Sequence, residues 1–157
     1  METSPPMTDA TRKQLLRIIG GAILLFGVSF IARKTIGLGL GLPDTKVSHH
    51  ANLPAARQSG IIERGWVPEI LPAGSTDITE IHDLDANTGT GTFRFPSAEL
   101  VAVKAQARQL AGAEVKEAGT ITHVVYARDR SRFELVLTPD PKTAEAMIGV
   151  WGMKPVR

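Results

Sequence analysis

The sequence predicts an α+β protein: an N-terminal transmembrane helix followed by a small antiparallel sheet packed with one main helix. Three observations predict it. The run Ile18–Ala32 carries no charge, with Arg12, Lys13 and Arg17 before it and Arg33 and Lys34 after it. Leu100, Val103, Ala107 and Leu110 form an apolar stripe at helical spacing. Phe133, Leu135 and Leu137 alternate cleanly with polar neighbours, the mark of a strand with one wet face.

Residues 1–14 read as a polar tail. Residues 15–32 read as the anchor. Hydrocarbon offers backbone groups no water, so a crossing segment must satisfy its own hydrogen bonds as a helix. At about 1.5 Å per residue the segment spans roughly 27 Å, close to the hydrocarbon thickness of a thin bilayer. Arg17 sits one turn from the end, where its stem reaches the headgroups. A cleaved signal peptide shares the basic–apolar order, but Phe30 and Ala32 do not make a small-x-small cleavage site. A buried soluble helix would have to cover every face of this run. The lipid bilayer is therefore the expected partner of residues 15–32. Basic residues flank both ends, so charge alone does not choose the orientation.

The chain has no cysteine, which excludes lipoprotein-type acylation and a disulfide framework. Its net charge of +2 belongs to the N-terminal part: residues 1–44 carry five basic side chains against three acidic, and residues 45–157 carry thirteen of each. A nucleic-acid partner is not expected, because it needs a basic face on the folded domain.

Residues 33–60 read as a linker. Thr35–Asp44 alternates Gly and Leu before Pro43, and Thr45–Gly60 is polar, with one helical turn available at Pro54–Gln58. The folded domain is expected over 61–157. In Trp66–Pro72, Pro68 suits the first position of a helical turn and Pro72 ends it. Ser75–Asp83 alternates as a strand. Asp85–Gly91 is rich in turn residues, and Thr92–Phe95 returns as the hairpin partner. Ser97 is a good N-cap for the main helix, with Glu99 in its first turn, and Gly112 is a plausible stop. Thr120–Arg128 and Arg132–Thr138 read as antiparallel strands joined across Asp129–Ser131. Ala144–Trp151 reads as a last strand or a short helix.

The densest polar cluster is His82–Gly89. Asp83, Asp85 and Asn87 have the i, i+2, i+4 oxygen spacing of a calcium loop. The match fails at Thr88, where that loop needs Gly, and at Arg94, where it needs a bidentate Glu. The competing reading is a hairpin whose Asx side chains cap their own turn. His49 and His50 lie in the expected linker, and His82 and His123 complete no zinc spacing. Ser75, Asp77 and His82 are triad residue types without a nucleophile motif. Trp66, His82, Asp83, Asp85 and Asn87 are the candidate ligand-binding residues. No catalytic residue, metal or cofactor is assigned.

Gly65–Pro72 (GWVPEILP), Ser75–Ile78 (STDI), His82–Asn87 (HDLDAN) and Phe93–Phe95 (FRF) form an ordered signature. It resembles an uncharacterised family of small bacterial membrane-anchored envelope proteins with a Trp-x-Pro-x-x-Leu-Pro, Thr-Asp-Ile, Asp-Leu-Asp-x-Asn pattern. The likeness covers roughly residues 60–100, and it departs at Ala86 and Thr88–Gly91. It implies a bacterial inner-membrane protein with a single pass and a periplasmic C-terminal domain, and it implies no activity. The expected function is a non-enzymatic interaction module with an envelope protein partner. The alternatives are a ligand- or calcium-binding module at Asp83, Asp85 and Asn87, and an envelope hydrolase.

Overall fold

Alternation places every second side chain of a strand on one face, and in this chain one such face carries the apolar core across the central strands. The computed structural model describes residues 45–156. The expected tail, the anchor at 15–32 and the first part of the linker lie outside the described residues. Among the described residues no helix is long and apolar enough to cross a membrane.

The elements in chain order are β1 (Thr45–Asn52), α1 (Leu53–Gln58), β2 (Thr76–Asp83), β3 (Thr88–Pro96), a 3-10 turn (Ser97–Glu99), α2 (Leu100–Gln109), β4 (Glu114–Ala118), β5 (Ile121–Arg128), β6 (Ser131–Pro139) and β7 (Ala146–Pro155). The strands form one sheet in the order β1-β2-β3-β7-β6-β5-β4, antiparallel at every pairing. The fold is thus α+β, mainly antiparallel sheet with two helices. It is built from two meanders, β1-β2-β3 and β4-β5-β6-β7, joined where β3 pairs β7.

That join depends on two glycines. Gly91 lies opposite Trp151, and Gly149 opposite Phe93. A Cβ on Gly91 would collide with the Trp151 indole, and one on Gly149 with the Phe93 ring. Each aromatic therefore lies over the glycine of the neighbouring strand, and the two rings meet at 5.9 Å. Trp151 and Phe93 are each 1 % exposed. On the same face stand Ile78, Phe95, Phe133, Leu135, Leu137, Val124 and Tyr126, all buried.

This inner face is covered by three segments. α1 contributes Leu53 and Ala56, the loop after it Ile61, Val67, Ile70 and Leu71, and α2 Val103 and Ala107, with Leu100 and Leu110 packed against the cluster. The predicted stripe of α2 is the stripe it buries. Lys104 and Arg108 on its wet side reach Glu117 of β4 at 2.9 and 3.1 Å. The hydrogen bond from Lys104 holds the Glu117 carboxyl below the usual carboxylate range. The opposite sheet face carries Thr79, Thr92 and Thr138 among Val136, Ile148 and Val150, and stays partly exposed.

Several expectations are corrected. Residues 45–60 are not linker: β1 pairs with β2 from Thr45 to Asn52, and Asn52 caps α1 by accepting the Ala55 N–H at 3.0 Å. β1 reads as polar because it is an edge strand with most residues exposed. Trp66–Pro72 forms no helix; the chain turns earlier, with Arg64 N–H bonded to Gly60 O and Gly65 N–H to Ile62 O. Gly65, at φ 80°, ends that turn in the left-handed region. Ser97 does not cap α2 with its side chain; its N–H bonds to Glu145 O instead. β3 begins at Thr88, four residues earlier than expected. β4 was not expected at all, because its short sequence EVKEA is charged, as suits a protected edge. Ala144–Trp151 resolves into a strand, and β7 runs on to Pro155.

Tyr126 stacks on Phe133 with centroids 5.2 Å apart, and its hydroxyl finds no well-formed hydrogen-bond partner among the described residues. Burial, aided by the nearby Glu69 carboxylate, pushes the phenol well above its ordinary value of 10.0. A folded-state value above the unfolded one contributes stability that is complete below pH 10 and lost as pH rises beyond it. Urea unfolding of the wild type should therefore weaken above pH 10. Tyr126→Phe should remove that alkaline loss and stay within about 1 kcal/mol of wild type at pH 7, since no good hydrogen bond is given up.

Candidate functional site

The sheet has two ends, and the polar chemistry gathers at one of them. The β2–β3 turn (residues 84–87), the β5–β6 turn at Asp129-Arg130, the start of β1 and the end of β7 all meet there, as the pairings Thr45 with Asp83, Asp83 with Thr88, Arg128 with Ser131 and Ser131 with Pro155 require. Asn87 and Asp129 occupy these turns at φ 49° and 54°, in the left-handed region that Asn and Asp tolerate better than other side chains.

Just inside this end lies a buried polar chain. Glu80 and His82 are two residues apart on β2, so both point into the inner face. Glu80 is 0 % exposed. Its carboxylate accepts the Ser48 hydroxyl at 2.8 Å and meets His82 Nδ1 at 2.5 Å. The imidazole stacks on Trp66, with centroids 4.3 Å apart and planes 12° from parallel. The Trp66 carbonyl in turn accepts the Trp151 indole N–H at 3.2 Å. This chain couples the central strand pair to the 61–75 loop. Buried polar groups need such partners, because each one left unmade costs more than a made one contributes.

The predicted site residues separate into three environments. Trp66 and His82 come together in that stack. Asp83 points to the other sheet face; it is buried, and its Oδ1 accepts the Ala86 N–H at 2.9 Å, which caps the turn. Asp85 is exposed in the turn. Asn87 lines a surface hollow of about 310 Å³ together with Arg64, Arg128 and Arg130. Among the described residues no three His, Cys, Asp or Glu side chains are grouped to hold a metal.

The triad types are not assembled. Ser75 is buried and donates its hydroxyl to Pro72 O at 2.7 Å, while His82 is engaged with Glu80. The six residues between them, all on β2, hold them roughly 20 Å apart along extended chain. His49 and His50 lie on opposite faces of β1; His49 Nδ1 meets Thr79 Oγ1 at 3.1 Å. His123 Nε2 meets Glu134 Oε1 at 2.8 Å.

Sequence reading missed Glu80, Ser48 and the three arginines. The spacing Glu80-x-His82 was the available signal, since residues two apart share a strand face. Burial of Glu80 was hidden because its cross-strand neighbour is Gly91, which carries no side chain to show which face is the core.

A family model described as the YbbD head domain matches residues 44–94. That is about a third of the chain; it starts at the boundary of β1 and covers α1, the 59–75 loop, β2 and most of β3. The match supports a relation to an uncharacterised bacterial family. No curated protein and no solved structure matches the chain.

If Glu80 organises this end of the sheet, removing it should unsettle Ser48, His82 and Trp66 together. Glu80→Ala leaves the buried His82 and the partly buried Ser48 without their partner and should cost about 3 kcal/mol in urea unfolding. Glu80→Gln keeps the shape and one acceptor and should cost about 1 kcal/mol. Equal stability of Glu80→Ala and wild type would contradict the role assigned to it.

Proposed function

We propose that the chain is a membrane-tethered head domain of the bacterial envelope, anchored in the inner membrane by residues 15–32, with residues 45–157 in the periplasm as a non-enzymatic interaction module for an envelope protein. The observation that carries this reading is that the chain is already in strand at Thr45, the first described residue. Only residues 33–44 separate it from the apolar run, a tether of at most roughly 40 Å when fully extended. The printed description of the matched family, a head domain, is consistent with a module carried on an anchor. The signature around Trp66–Pro72 and His82–Asn87 supports the family relation at finer grain. Binding is favoured over catalysis because Ser75, His82 and His123, the groups best suited to chemistry, are each committed to an internal partner.

The absence of cysteine makes the topology directly measurable. A single Lys142→Cys substitution places a thiol on an exposed loop residue. A membrane-impermeant maleimide should label this protein in intact spheroplasts. Labelling only after lysis would reverse the orientation, and recovery of the full chain in the soluble fraction would remove the anchor.

A further inference from the structure

The hollow at the turn end of the sheet gathers three arginines. Arg64 comes from the loop after α1, Arg128 ends β5, and Arg130 lies in the β5–β6 turn. Three arginines from two separate segments line one concavity of about 310 Å³. Asn87 adds an amide to the lining, and Asp129 a carboxylate that pairs with Arg128. The floor is the cross-strand pair Phe133 and Met153, both buried.

Arg128 is ion-paired, whereas Arg64 and Arg130 have no carboxylate partner among the described residues. Arg128 Nη1 donates to Ile62 O at 3.2 Å, which fixes the hairpin against the loop. Its carboxylate neighbours, Glu69 at 3.6 Å and Asp129 at 3.7 Å, form ion pairs with it, so the two uncommitted cations of the hollow are Arg64 and Arg130. Asp129 is 88 % exposed, where solvent and salt weaken such a pair. Arg64 Nη2 donates to the uncharged Ser59 carbonyl at 3.1 Å. Gly60 leaves room for that guanidinium: a Cβ there would press on Arg64 Nη1. The Arg130 side chain has no ion pair among the described residues, while its carbonyl accepts Val156 N–H at 2.8 Å and pins the turn. Planar guanidinium groups recognise phosphate oxygens bidentately, and a cluster of them favours phosphate over a monovalent carboxylate.

Position suggests where the phosphate comes from. β1 begins at this same end of the sheet, since Thr45 pairs Asp83 beside the β2–β3 turn. The chain therefore enters the domain from the arginine side. We propose that this pocket binds the phosphate of an anionic lipid headgroup and so seats the turn end of the sheet on the bilayer surface. The choice of lipid as the source rests on the anchored reading above; the phosphate pocket itself does not.

The test uses the full chain in neutral non-ionic detergent micelles, where topology plays no part. Both tryptophans lie in the described domain, and Trp66 adjoins pocket residue Gly65, so tryptophan fluorescence reports on the site. Micelles are doped with increasing phosphatidylglycerol at fixed ionic strength, with inorganic phosphate as the parallel arm. Saturable fluorescence change with the lipid is expected. Its half-point should rise about tenfold or more in Arg64→Ala/Arg130→Ala, with an unchanged circular dichroism spectrum. Lys142→Ala, at the opposite end of the sheet, should behave as wild type. An equal response to inorganic phosphate at the same phosphate concentration would overturn the lipid source. The same titration curve in the double variant, or none with either probe, would overturn the pocket.

Discussion

The pairing of β3 with β7 is the contact on which the rest of the structure depends. Each half of the sheet pairs strands that follow one another in the chain, with α1 and the 59–75 loop inserted between β1 and β2. Nothing in local sequence brings Thr88–Pro96 against Ala146–Pro155; that contact closes a loop of some fifty residues and is made by side-chain fit. The fit is reciprocal, with Trp151 over Gly91 and Phe93 over Gly149. Glycine within a strand weakens it unless something packs where its side chain would be, and here an aromatic from the partner strand does so on both sides.

The same seam organises the candidate site. Trp151 is fixed by its glycine, and its indole N–H holds the Trp66 carbonyl. Trp66 then stacks on His82, which meets the buried Glu80 and, through it, Ser48 of the edge strand β1. Polar contacts thus run from the centre of the sheet to its edge just beneath the β2–β3 turn. The loop they secure also delivers Arg64 to the rim of the hollow. Stability and the proposed binding surface share residues for this reason, and the loop from Ile61 to Ser75 works as both core cover and site wall.

Much of this was legible in the sequence. The α2 stripe, the β5–β6 hairpin and β2 follow from periodicity, which is a local property. The Asx cap at Asp83 was readable as the competing account of the calcium-like spacing, and its bond to Ala86 N–H agrees with it. The misses have one cause in common: they depend on neighbours distant in sequence. β1 looks like linker because an edge strand buries little of itself. The turn at Trp66–Pro72 looks helical because its prolines suit a helix, yet Val67, Ile70 and Leu71 are apolar because they plug the sheet. The arginine hollow joins residues from positions 64, 87 and 128–130, and no linear spacing announces that. Trp66 and His82 are two of the five candidate ligand-binding residues read from the sequence, and the structure stacks their rings within the fold.

Native-state hydrogen exchange tests the central claim most directly. If the reciprocal glycine–aromatic seam makes two meanders into one unit, the amides of Thr92, Arg94, Ile148 and Val150 should exchange only through global unfolding, with the same denaturant dependence as the β5–β6 amides. Exchange of β1–β3 through a separate, lower-energy opening that leaves β4–β7 protected would contradict it.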